Sequence, residues 1–173
     1  MATCSNSNLS GRQLKIAFAQ GCGNLDLATA VFDQFGSINS KSVDFTANTT
    51  DNTSDLSGGN QSTLVTTLGG EVTVSGWFDK NDSAEAGALS AAQQKITKYF
   101  IDESQNADAQ PCGWLKIWND NMPLGFYVFC NITQGPGMGG GTNDTVTFSM
   151  TFQSTATGVA GTNAIQHFDP TAP

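Results

Sequence analysis

A chain of 173 residues is long enough to bury one core and too short for several, so a single domain over residues 1–173 is expected. Charged residues make up 13%, about half the usual share, and Thr, Ser, Asn, Gln and 19 glycines fill the space. With 7 Lys and Arg against 15 Asp and Glu the net charge is -8, and no basic cluster exists to neutralise phosphates, which argues against nucleic-acid binding.

The start, "MATCSNSNLSGRQLK", has no basic segment followed by an apolar one, so no secretion signal is read there. No apolar run approaches the roughly 18 residues that span a bilayer. The expectation is a soluble chain made in a cytosol, with residues 1–11 as an N-terminal arm and no membrane partner. Asn-x-Ser/Thr sequons begin at Asn48, Asn52, Asn60, Asn81, Asn131 and Asn143. In a chain that is not exported they follow from a Thr/Asn-rich composition.

"RQLKIAFA" alternates Leu14, Ile16 and Phe18 against Lys15, Ala17 and Ala19, the period of a half-buried strand over residues 12–19. "QGCGNLD" is a turn with two glycines. Residues 25–35 suit either a short helix or an irregular loop, and a strand follows over residues 36–46. From Ala47 to residue 70 the chain is dominated by Thr, Asn, Asp, Ser and Gly, whose pairs favour turns. A long loop is predicted there. "GGEVTVSGWFD" is a clean strand over residues 71–78, with Val72, Val74, Gly76 and Phe78 on one face and Thr73, Ser75 and Trp77 on the other.

A helix is predicted over residues 84–101, with Leu89, Ala92, Ile96, Tyr99 and Phe100 as its apolar stripe and Asp82 with Glu85 at capping-box spacing. "CGWLKIW" and "LGFYVFCNIT" flank the turn-rich "NDNMP" and form a predicted hairpin. That pairing places Cys112 nearly opposite Cys130, so two buried thiols are expected, with a cross-strand disulfide in an oxidising medium as the alternative. "QGPGMGGGTND" carries five glycines but leads into a strand, "TVTFSMTFQST". A phosphate-cradling loop leads into a helix, so a hairpin tip is predicted instead. Residues 158–173 lose periodicity and are read as a C-terminal arm in coil unless a partner orders it.

Chemistry-bearing constellations are sparse. The cysteines (Cys4, Cys22, Cys112, Cys130) form no CxxC pair, and one His167 supplies no zinc spacing. Asp44, Asp51, Asp55, Asp79 and Asp82 read as solvated or turn carboxylates. No catalytic residue, metal ligand or cofactor is assigned, and the chain reads as a non-enzyme.

The order strand, strand, long polar stretch, strand, helix, hairpin, Gly-rich turn, strand resembles the major tail proteins, or tail tube proteins, of long-tailed bacteriophages (siphoviruses) and related gene-transfer particles. "SVDFTANTTDNTSD", "LGGEVTVSGWFD" and "LGFYVFCNITQGPGMGGGTNDTVTFSMTFQSTA" carry the resemblance, which covers about residues 14–160. It implies a mainly β fold, an antiparallel sandwich or barrel-like domain with one flanking helix. It implies homohexameric rings stacked into a tube around a tape-measure protein, closed by tail tip and terminator proteins. Viral DNA would pass through the lumen without sequence-specific binding, and the tube would be assembled in the host cytoplasm and end in the virion. The resemblance makes the 47–70 loop an inter-ring contact, represented by Ala47, Asn48, Thr49, Thr50, Asp51, Asn52, Thr53, Asp55, Leu56, Asn60, Leu64 and Val65. The competing reading is a carbohydrate- or receptor-binding sandwich with Trp77, Trp114, Trp118 and Tyr127 as a platform.

Overall fold

The computed structural model describes residues 13–35, 38–51, 63–78, 91–107, 109–140 and 146–171. Its strands are β1 (Lys15–Gln20), β2 (Asp33–Gln34), β3 (Ile38–Asp51), β4 (Thr63–Trp77), β5 (Cys112–Trp118), β6 (Gly125–Gly139), β7 (Thr147–Ser154) and β8 (Ile165–Phe168), with helix α1 (Ala91–Ser104) between β4 and β5. They form an 8-stranded open sheet in the order β2-β1-β5-β6-β7-β4-β3, and β8 is added on β6. The mainly β class with one flanking helix agrees with the sequence expectation.

Alternation fixes which side chains go inside. Ile16 and Phe18 of β1, Val72 and Val74 of β4, and Phe148, Met150 and Phe152 of β7 are all buried in one cluster. β1 and β7 are separated by β5 and β6, which in a flat sheet is about 14 Å. Yet the Phe18 and Phe152 rings lie 5.9 Å apart. The sheet therefore curls over its own core in the manner of a half-open barrel.

Helix α1 packs on the same cluster through Ile96, Tyr99 and Phe100. A Cβ on Gly135 would stand 2.0 Å from the Phe100 ring, so the absent side chain is the seat of the helix. Gln93 Nε2 donates to the Trp77 carbonyl at 3.0 Å, Tyr99 donates to the Cys112 carbonyl at 2.7 Å, and Lys95 pairs with Asp33. The helix runs three residues beyond the expected end at 101. Its expected first turns, with Asp82, Glu85 and Leu89, lie outside the described residues.

Three expectations change. The Gly-rich stretch from Gln134 is strand as far as Gly139, with register shifts between Ile132 and Gln134 and between Gln134 and Gly137. Here β6 bonds only β7, since its pairing with β5 stops at Asn131. Pro136 thus lies on an edge and next to a bulge, where a missing N–H is tolerated. Residues 25–35 are turns followed by the short β2, built on an Asp26 turn that accepts bonds from Ala28, Thr29 and Ala30.

The C-terminal stretch, expected as coil, supplies β8, paired to β6 over residues 125–128. Non-local contacts hold it. Phe168 stacks on Tyr127 with centroids 4.4 Å apart, and a Cβ on Gly125 would lie 2.5 Å from its ring. The Lys116 ammonium sits between 5.0 and 5.9 Å from the rings of Phe168, Trp118, Tyr127 and Phe32.

Candidate assembly surface

β3 and β4 pair in antiparallel register from Ile38↔Gly76 to Asp51↔Thr63. β7 backs β4 only from Glu71 to Trp77. Residues 46–51 and 63–69 therefore leave the sheet as a two-stranded ribbon about 20 Å long, and Gly70, whose amide donates to Ser154 of β7, marks its base. Phe45, 5.3 Å from the Phe126 ring, is the last side chain of β3 seated on the body. Beyond it Leu64, Val65 and Leu68 are 57%, 60% and 57% exposed. Asn48 Nδ2 donates to Thr67 Oγ1 at 2.9 Å and Thr66 Oγ1 donates to the Asn48 carbonyl at 3.1 Å, bracing the register shift at Asn48/Thr49. An unbacked two-stranded ribbon is marginal in water, and three exposed apolar side chains on one make it a candidate contact surface.

The loop expected over residues 47–70 is corrected on this point. Ala47, Asn48, Thr49, Thr50 and Asp51 lie in β3, and Leu64 and Val65 in β4. Asn52, Thr53, Asp55, Leu56 and Asn60 lie outside the described residues. Leu68 and its exposed neighbours complete the surface; the signal for it was an apolar residue recurring inside a polar run. At the far end of β4 a second apolar group is exposed: Trp77, Met138 and Val146. Of these, Met138 lines an open groove of about 480 Å³ together with Gly76, Gly137, Gly139 and Phe148. The two ends of one strand thus carry two separate apolar surfaces.

The ribbon carries no cation of its own: among the described residues of β3 the only basic side chain is Lys41, at its base. Its ammonium donates to the Leu14 carbonyl and burial holds it below the usual lysine range.

Of the four aromatic residues expected as a platform, only Trp118 and Tyr127 come together, both beside the Lys116 ammonium. Trp114 is 0% exposed, its ring 5.2 Å from Phe129 and its indole N–H donated to the Cys22 carbonyl at 3.2 Å. Trp118 donates to Asp120 and lies near Lys15 and Lys116. Trp77 sits on β4, on the other side of the sheet order.

The cysteine pairing is also corrected. Cys112 lies opposite Asn131 and Cys130 opposite Gly113, so the two thiols are one residue out of register and on opposite faces of the pleat. Both are free. Cys130 is buried and its Sγ–H donates to the Gly113 carbonyl at 3.6 Å. Burial pushes both thiols up, that of Cys130 furthest. Among the described residues no three His, Cys, Asp or Glu side chains gather as a metal site, and no helix is long and apolar enough to cross a membrane.

An open, curled antiparallel sheet with a flanking helix and a projecting β3–β4 ribbon defines a class of fold. Solved structures share it over most of the chain. One is a tail of an empty gene transfer agent particle with C6 symmetry, at 18% identity and TM-score 0.59, covering 86% of this chain and 96% of that one. The virion of a native gene transfer agent particle matches at 17% identity and TM-score 0.58, covering 86% and 95%. The SPP1 tail tube matches at 15% identity and TM-score 0.54, covering 94% and 80%. No protein-family model matches the sequence, and no curated protein does. The shared property is the fold.

Proposed function

We propose that this protein is the structural subunit of a phage-like tail tube, assembling as hexameric rings that stack around a lumen. The observation that carries the reading is the ribbon of residues 46–51 and 63–69, which exposes Leu64, Val65 and Leu68 beyond the sheet that backs it. The same fold in solved tails and a tail tube supports it. The ribbon, with Ala47–Asp51 and Leu64 with Val65, together with the residues Asn52, Thr53, Asp55, Leu56 and Asn60 between its strands in sequence, is the ring-to-ring contact. Covering its three apolar side chains contributes roughly 3–4 kcal/mol per arm.

The second apolar surface, at Trp77, Met138 and Val146, suits the same reading. A contact between one end of a subunit and the opposite end of the next is heterologous and stacks without closing. The role is structural, with no catalysis and no cofactor. A tape-measure protein inside the tube and tip and terminator proteins at its ends are the expected partners. The net charge of -8 favours a lumen that repels phosphates and lets DNA pass. The location is the virion tail, after assembly in the host cytoplasm.

Negative-stain imaging of the concentrated protein, alone and with tail partners, tests the reading. Tubes of uniform width are expected, and a chain that stays monomeric with partners present overturns it. Removing residues 52–61 is expected to leave a folded subunit that forms no tube; normal tube growth from that variant refutes the ring-to-ring assignment.

A further inference from the structure

Register keeps Cys112 from Cys130, and the chain after β1 turns a different cysteine onto the Cys112 face of β5. β1 and β5 pair in step as far as Gln20↔Gly113, and one residue further along sets Gly21 against Cys112. Opposed Cα atoms in such a ladder lie about 4.5–5.5 Å apart, and Cys22 is one Cα step of about 3.8 Å from Gly21. β1 ends at Gln20, and beyond it the Cys22 carbonyl turns onto the Trp114 side chain, on the face of β5 that carries Cys112; a disulfide there needs Cα atoms about 4.4–6.8 Å apart.

The backbone of Cys22 is pinned there. Its carbonyl accepts the Trp114 indole N–H at 3.2 Å and the Leu25 N–H at 3.0 Å. Trp114 stands two residues from Cys112, on the same face of β5 by alternation. Cys112 is held by the Tyr99 hydroxyl on its carbonyl at 2.7 Å. Both cysteines are free, Cys22 exposed and Cys112 half-buried, whereas Cys130 is closed off. Burial raises the Cys112 thiol first, and the neighbouring Cys22 sulfur adds to that rise.

We infer that Cys22 and Cys112 are the site of an oxidative cross-link that ties the turn after β1 to the start of β5. With a low-molecular-weight disulfide such as oxidised glutathione as oxidant, the exposed Cys22 thiolate attacks one of its sulfurs and expels a glutathione thiolate. The Cys112 thiolate then attacks the Cys22 sulfur of the mixed disulfide and expels the second. Two protein thiols are oxidised, one small disulfide is reduced, and the two protons leave with the two glutathiones. The cross-link closes a long loop through the body of the sheet, which restricts the unfolded chain.

The test is to hold the folded protein with oxidised glutathione, block residual thiols and map the linked peptides by mass spectrometry. A Cys22–Cys112 peptide is expected in the wild-type chain and equally in Cys130→Ser, reversed by dithiothreitol. Cys22→Ser is expected to cut oxidation of Cys112 at least about tenfold. Because Cys22 is exposed, that variant keeps its melting temperature under reducing conditions. A dominant link through Cys4 or Cys130, or a Cys22–glutathione adduct that persists beside a reduced Cys112, overturns the inference.

Discussion

The two halves of β4 share one partner strand, β3, yet live in different surroundings. From Glu71 to Trp77 the strand has a neighbour on each edge, β3 and β7, and alternates buried and open positions. Its N-terminal half, residues 63–69, has β3 alone, and Leu64, Val65 and Leu68 face water. A single strand thus serves the core at one end and exposes apolar side chains at the other. On the proposed reading, stability belongs to the inner half and assembly to the outer half, and substitutions separate them.

The largest expected loss of stability is at Phe152, opposite Val72 in the ladder and fully buried. Phe152→Ala is expected to cost about 3–5 kcal/mol, read as the change in urea midpoint, which approaches the whole stability of an ordinary domain. A loss under 1 kcal/mol would mean that the curled core is not where folding energy lies.

Next is the seat of α1. Gly135→Ala forces a methyl group into the Phe100 ring, at an expected cost of about 1–3 kcal/mol. Amide exchange distinguishes this from a general loss: protection is expected to fall first in α1 and to hold in β4 and β7.

Tyr99 gives a smaller effect that depends on pH. Burial, with Cys112 beside it, pushes its hydroxyl up to about 12. An unfolded tyrosine titrates near 10, so between about 10 and 12 the unfolded chain sheds a proton that the folded chain keeps. The contribution is fully present below about pH 10 and fades as pH rises towards 12. Cys112 has the same sign, its thiol also raised by burial. Tyr99→Phe therefore isolates the Tyr99 share: about 1 kcal/mol less stable at neutral pH for the lost bond to the Cys112 carbonyl, and a shallower fall above pH 10 in urea melts.

What the sequence made legible follows the same division. Ile16 and Phe18, Val72 and Val74, and Phe148, Met150 and Phe152 alternate because each strand has one buried face, and period two survives in the residues. The ribbon has no buried face, so its Thr and Asn carry no alternation and look like a loop. The overlooked sign was the β-branched run at residues 63–67, a strand composition without a core pattern. β8 was illegible because its four residues are held by Lys116 and Tyr127, far away in the chain. The cysteine pairing missed by one residue of register, and in a sheet one residue changes the face.

The smallest expected effect on the isolated subunit has the largest consequence for assembly. Leu64→Ser with Leu68→Ser removes apolar surface that water already covers, so each change is expected to move stability by no more than about 0.5 kcal/mol. The amides that join β3 to β4 are untouched, and so are the bonds that Asn48 makes to Thr66 and Thr67. If the exposed side chains serve the subunit itself, the double variant melts early and its tubes shorten in proportion. If they serve the next ring, melting is unchanged and tubes are absent by negative stain, because each missing contact recurs at every ring junction. The second pattern is expected. A variant that melts like the wild type and still builds full-length tubes would move the contact to the other end of β4, where Trp77, Met138 and Val146 are exposed.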